Sequence, residues 1–315
     1  MKRIFLLLAG LLTVWAACAQ NRVATHCFAQ RDTCDLYLDI YAPSPDAPLT
    51  YQGREKPTIV FLFGGGFITG KRDDPSMMPW FKLLNDQGYR VVSIDYRLGL
   101  KGVPIRFDFL HLTDAFKKTD KAVSIGVEDA FTAVRFLADH AESLGIDPAN
   151  LVLSGSSAGA MITLSCIWEI SNRTPRTAIL PEGFRFAGVI SFAGAVMSGH
   201  GIPDYPEEPC PQLLLHGTDD AAVAYEKMSF AGKGMYGSSS VAAALARKGY
   251  PYNIIRYTGH SHDIAGSLTE TWPEQERFLQ ENVILRSGRT VDVTVAQDPA
   301  VPHRGSVSLA QIYNY

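Results

Sequence analysis

The 315 residues are 46% hydrophobic and 19% charged, proportions that suit one globular domain of enzyme size with a sizeable core and exclude a largely disordered chain. With a formal net charge of −3, a pI near 6.2 and no long Lys/Arg run beyond the first residues, the chain offers no basic field to a polyanion, which argues against nucleic acid as a partner.

The N-terminus reads Met1-Lys2-Arg3 and then an apolar stretch from Ile4 to Ala17. That stretch is too short for a comfortable membrane span and has the layout of a secretory signal, so residues 1–19 are expected to be a cleaved leader and the mature chain to be secreted or periplasmic. Ala17-Cys18-Ala19 is a small-x-small cleavage site that leaves Gln20 first. The rival is Ala16-Ala17-Cys18, a lipoprotein-type site that would anchor the chain through an acylated Cys18; Trp15 stands where such a signal usually has Leu, which favours simple cleavage. In an oxidising compartment Cys27 and Cys34, which flank the polar segment 28–33, are expected to pair.

Leu36, Leu38 and Ile40 alternate with Tyr37, Asp39 and Tyr41, the period of a half-buried strand, and Pro43 ends it. The later strands read differently. Runs at 58–63, 89–94, 151–153, 186–192, 213–215 and 252–257 are short and mostly apolar, as strands covered on both faces are. Segment 99–121, with Phe107, Phe109 and Phe116 among charges, reads as a loop, either plain surface or a wall or lid over a site. From Val127 to Ala141 the apolar positions fall on one helical face, and Gly145 with Asp147-Pro148 ends that helix. Residues 231–240 are Gly/Ser-rich and read as flexible. Thr271-Trp272-Pro273-Glu274 is a capping-box start for a helix to about Ile284. The alternation of strands and amphipathic helices predicts an α/β fold, a mostly parallel central sheet with helices on both faces and an antiparallel N-terminal edge. Residues 20–285 would form this domain, and 286–315 a polar extension with one strand-like run, Val291 to Val295.

Gly155-Ser156-Ser157-Ala158-Gly159 sits between the apolar run at 151–153 and a helix-like stretch from Ala160 to Ile167. A strand running straight into a helix needs a sharp turn, and glycines two residues either side of the turning residue remove the Cβ atoms that would clash there. Such a turn holds the Ser157 hydroxyl above the sheet, which makes it a candidate nucleophile. A serine hydroxyl needs a base to take its proton and a group to orient that base. Downstream, two strands end in His216-Gly217-Thr218-Asp219-Asp220 and Gly259-His260-Ser261-His262-Asp263, and strand ends are where open α/β sheets place reactive groups. Upstream, Phe63-Gly64-Gly65-Gly66-Phe67 follows a buried strand and exposes backbone amides suited to a developing oxyanion. No Lys-Ser or Lys-Thr follows it, as a phosphate-binding P-loop would require. A metal set from His260, His262 and Asp263 lacks the spacing of a known motif.

Taken in order, FGGGF at 63–67, DYRL at 95–98, EDA at 128–130, GSSAG at 155–159, HGTDD at 216–220 and GHSHD at 259–263 resemble the α/β-hydrolase superfamily, in its carboxylesterase and lipase/esterase branches with a Gly-Gly-Gly oxyanion motif. The resemblance covers roughly residues 35 to 285. It implies a Ser157-His262-Asp220 triad, an oxyanion hole from the amides of Gly65, Gly66 and Ala158, and no cofactor or metal. The family aspartate falls four residues after its His-Gly histidine, which selects Asp220 over Asp219, and the family Gly-x-Gly-His pattern favours His262 over His260. Phe63 departs from the family, which usually has His there. The implied substrate is a small-molecule or carbohydrate-linked carboxylic ester, with acetyl or feruloyl esters of plant polysaccharide as a narrower version. A non-catalytic ligand-binding protein on the same fold is the rival of another class. A peptidase of the prolyl oligopeptidase kind is a weaker reading, since fewer than 60 residues precede the first buried strand and no propeller fits there.

Overall fold

The computed structural model describes residues 22–305 and 307–313. The expected leader over residues 1–19, with Cys18, lies outside them. Nine strands form one sheet: β1 (Arg22–Gln30), β2 (Asp35–Tyr41), β3 (Thr58–Leu62), β4 (Arg90–Ile94), β5 (Leu151–Ser156), β6 (Gly188–Phe192), β7 (Gln212–Gly217), β8 (Asn253–Tyr257) and β9 (Val291–Val295). Their spatial order is β1-β2-β4-β3-β5-β6-β7-β8-β9. β1 and β2 pair antiparallel, β2 joins β4 antiparallel, and every later neighbour is parallel. Consecutive residues of β3, β5, β6 and β7 are buried throughout, so both faces of the sheet are covered and the near-continuous apolar runs follow.

The covering helices are α1 (Met78–Asp86), α2 (Leu112–Asp139), α3 (Ala158–Ser171), α4 (Ser238–Lys248) and α5 (Trp272–Phe278). α2 packs on α3. α1 meets α5 through the Trp80 indole N–H, which donates to Gln275 Oε1 at 2.9 Å. Among the described residues no helix is long and apolar enough to cross a membrane.

The segment read as a loop from 99 to 121 is helical from Leu112 onward, because Ala115, Phe116, Thr119, Ala122 and Val123 continue the buried stripe of α2 while Lys117, Lys118 and Lys121 lie off it. Gly126 interrupts the pattern in sequence but not in space. A Cβ there would lie under 3.0 Å from the Ile162 side chain, so its absence lets α2 and α3 approach closely. Residues 231–240 are ordered as well. Lys233–Gly237 pairs antiparallel with Lys227–Phe230 and with Ala195–Ser198 in a small second sheet, held by buried Met235 and Tyr236.

Cys27 and Cys34 are free thiols, not the expected disulfide. The hairpin register sets Cys27 opposite Tyr37, while Cys34 lies in the connecting turn beside Arg31. A displacement of about four residues along the strand, at about 3.3 Å each, exceeds the roughly 7 Å over which two Cα atoms can be bridged. Thr271 does not cap α5 through its side chain. It is buried, and its hydroxyl donates to Ser267 O at 2.7 Å and accepts from Gln275 Nε2 at 3.0 Å. The C-terminal extension joins the main sheet, its Val291–Val295 run pairing with β8.

Candidate active site

β5 ends at Ser156 and α3 begins at Ala158, so Ser157 makes the whole turn, at φ 52 and ψ −117. That conformation costs on the order of 1–3 kcal/mol for a residue with a side chain. Two features hold it. The Ser157 amide donates to Phe192 O on β6 at 2.9 Å, and Gly159 lets α3 start against the end of β3, where a Cβ would fall under 3.0 Å from the carbonyl oxygens of Leu62 and Phe63. The strain aims the hydroxyl away from the sheet. Ser157 Oγ lies 2.8 Å from His262 Nε2.

His262 opens a helical turn, His262–Gly266, after β8. Its Nδ1–H donates to Asp220 Oδ2 at 2.7 Å, which leaves Nε2 as the acceptor facing Ser157. Asp220 follows β7 and is fully buried at its side chain. Its other oxygen, Oδ1, accepts from the amides of Ala222 and Val223 at 2.9 Å each. Burial by itself would raise this carboxyl, but the hydrogen bonds from His216 and His262 outweigh it and hold it well below the usual carboxylate range.

The glycine loop runs directly from β3. Gly65 and Gly66 take φ of 129 and 62, and Gly65 O accepts from the amides of Ile68 and Thr69 at 3.1 Å, closing a tight turn beside Ser157. Ala158 is the first residue of α3, so its amide has no acceptor within the helix. Phe63, which departs from the His expected by resemblance, is a core residue: its ring stacks on Tyr96 at 4.4 Å and its carbonyl accepts from the Tyr96 hydroxyl at 2.8 Å. Gly64, Gly65, Gly66, Ser157 and His262 line a cleft of about 470 Å³ whose other walls include Ile68, Met77, Val307 and Ile312.

Ser157, His262, Asp220 and the glycine loop thus converge from four strand ends. Asp219 and His260 do not join them. Asp219 is exposed and bonds Thr218, and His260 is buried with its Nδ1 2.8 Å from Asp263 Oδ2. A metal set of His260, His262 and Asp263 does not form, since both ring nitrogens of His262 are engaged by Ser157 and Asp220. His260, Asp263 and His303 bring ligand atoms within 4.8 Å of one another. The His260 and His303 rings stack at 3.7 Å and 14°, however, so their in-plane lone pairs run nearly parallel rather than converging on one ion.

Sequence reasoning missed His216 as a site residue, using it only as a motif landmark. Its Nε2–H points at both Asp220 Oδ2 (3.2 Å) and Val223 O (3.0 Å), and its Nδ1 accepts from the Ser238 hydroxyl at 2.8 Å. The available signal was a histidine closing an apolar strand four residues before the acid. Val307 and Ile312 were missed because nothing in a polar tail marks it as returning to the cleft.

Among curated proteins the chain is similar to neuroligin-2 of Mus musculus, 31% identical over 176 residues that cover 50% of this chain and 19% of that protein. It is also similar to the para-nitrobenzyl esterase of Bacillus subtilis, 31% identical over 132 residues that cover 42% of this chain and 24% of that protein. The aligned region therefore spans about a quarter or less of these relatives. Among solved structures it resembles a thermophilic esterase of the Planctomycetes species Thermogutta terrifontis with propionate bound, at a TM-score of 0.59 and 20% identity, covering 83% of this chain and 95% of that one. A second likeness is a puromycin-hydrolyzing peptidase of Mycobacterium tuberculosis, at a TM-score of 0.54 and 19% identity, covering 87% of this chain and 42% of that one. At these identities the likeness is one of fold, here the α/β-hydrolase fold. The carboxylesterase family profile matches residues 13–193 of the 315, more than half of the chain and the part that contains the glycine loop and the Ser157 turn, and the protein belongs to that family.

Proposed function

We propose that the protein is an exported serine carboxylesterase that hydrolyses carboxylic esters through an acyl-enzyme. Ser157 attacks the ester carbonyl while His262 Nε2 takes its proton, and Asp220, ionised across the neutral range, holds Nδ1–H and stabilises the imidazolium. Negative charge developing on the carbonyl oxygen falls to the amides of Gly65, Gly66 and Ala158, donors of a kind whose single loss costs about 2.7–4 kcal/mol in other hydrolases. His262 then returns its proton to the departing alcohol, and water, deprotonated by the same imidazole, releases the acid and restores Ser157. The observation that carries this reading is the unbroken hydrogen-bond path from Ser157 Oγ through His262 to Asp220, at 2.8 and 2.7 Å. The family profile ends before Asp220 and His262, so their roles rest on that geometry.

A fluorophosphonate probe tests it directly. Covalent labelling at Ser157, with loss of both labelling and ester turnover by several orders of magnitude in Ser157→Ala, is the expected result. Silence from the folded wild-type protein would favour the rival, a ligand-binding protein on the hydrolase fold. Export rests on the leader read over residues 1–19, and mass spectrometry of the mature N-terminus separates Gln20 from a lipidated Cys18.

A further inference from the structure

We propose that the C-terminal segment is a strap forming one wall of the substrate cleft, and that Ile312 limits the size of the apolar ester group admitted; this rests on Ser157 being the nucleophile. After β9 the chain turns back over the site and is fixed on both sides of it. On the base side, the His303 ring stacks on His260, two residues before His262, at 3.7 Å. The Arg304 guanidinium donates to Gly266 O at 2.5 Å and pairs with Glu270. On the glycine-loop side, the single helical turn Leu309–Tyr313 is held by a capping box: Gln311 Oε1 accepts from the Ser308 amide at 2.8 Å, and Ser308 Oγ accepts from the Gln311 amide at 3.2 Å. That turn sends the Tyr313 hydroxyl to Gly66 O at 3.2 Å and sets the Tyr313 ring against Phe107 at 5.3 Å.

Between these anchors Val307 and Ile312 face the cleft. Ile312 reaches furthest in. A Cβ on Gly66 would lie 2.8 Å from Ile312 Cγ2, so the isoleucine packs directly over one of the proposed oxyanion donors. An ester whose carbonyl oxygen reaches that donor must pass one flank along this branched, apolar side chain. The side chains of Val307 and Ile312, with Ile68 and Met77 in the same cleft, suit a short aliphatic acyl group, while Thr69, Lys71, Asp74 and Ser76 also line that cleft. The strap therefore reads as a chain-length gauge.

The test is a p-nitrophenyl ester series from acetate to dodecanoate with wild type, Ile312→Ala and Ile312→Trp, each checked for folding by circular dichroism. Wild type is expected to prefer the short esters. Ile312→Ala should raise the octanoate-to-acetate ratio of kcat/KM about tenfold or more, mainly through KM, a span typical of adding or removing methylene-sized space in an apolar pocket. Ile312→Trp should move the ratio the other way. Ratios unmoved in both folded variants, with wild type labelled at Ser157 by the fluorophosphonate, would overturn the strap alone. A wild-type protein that does not label would instead remove the hydrolase reading beneath it.

Discussion

At the scale of single residues the least expected feature is that Asp220 serves two histidines. Oδ2 meets both His262 and His216, while Oδ1 is tied to two amides, so the carboxylate has no rotational freedom left. His216 bonds Asp220, Val223 and Ser238, so in the proposed mechanism it is a positioning residue. Its buried imidazole fixes the acid, and the acid fixes the base. Replacing it in His216→Phe removes a donor from a buried carboxylate, leaves Val223 O without its His216 donor and leaves the Ser238 hydroxyl only Gly194 O at 3.4 Å, which should cost about 1–3 kcal/mol of stability. The kcat of ester turnover should fall roughly ten- to a hundredfold with KM little changed, and His216→Gln, which keeps an N–H, should recover part of it. A purely packing role would move stability without that kcat-against-KM split. The linkage has a definite sign as well. The folded Asp220 carboxyl titrates below its unfolded value of about 3.9, so its stabilisation is complete above that pH and is lost as pH falls through the lower folded value. Urea midpoints measured between pH 5 and 3 should therefore drop less steeply in His216→Phe than in wild type.

At the scale of elements, what could be read from the chain depended on whether burial left a periodic trace. β3, β5, β6 and β7 are covered on both faces and appear in sequence as apolar runs, and the sharp turn at Ser157 appears as its flanking glycines. The first half of α2 was hidden because its apolar positions stand among the charges of 99–121, which read as a loop. The hairpin at 227–237 was hidden because its glycines looked like flexibility, and β1, largely exposed, carries too little apolar pattern to register. Gly126 lies inside α2. A residue that weakens an isolated helix is kept here by the approach of Ile162, and packing against α3 outweighs propensity. Gly126→Val should push α2 off α3, at about 1–3 kcal/mol of overpacking strain, measurable as a lowered urea midpoint with unchanged slope. A neutral or stabilised variant would mean that α3 yields at no cost and that the glycine has another cause.

Across the whole molecule the sheet brings groups distant in sequence to one edge, since β3, β5, β7 and β8 all run parallel and all end on the same side. This explains why the Ser157, Asp220 and His262 constellation was legible once the strand ends were found: parallel order converts chain order into a ring of loops. In the tail the strand at Val291–Val295 was legible, but the return of Val307 and Ile312 to the cleft was not, because the segment after that strand is polar and carries no apolar period. Yet β9 extends the sheet beyond β8, and Val301 just after it is 2% exposed. Truncation after Leu285 would bare the β8 edge and remove that valine with its packing, a burial alone worth about 1.5–3 kcal/mol. The shortened protein should unfold at a lower temperature and, with a parallel edge opened, elute as higher-order species in size-exclusion chromatography. A truncated chain that stays monomeric with unchanged melting would make the extension an appendage of the fold. In that case the wall it forms at the cleft would stand on the His303, Arg304 and Tyr313 anchors alone, without support from the sheet.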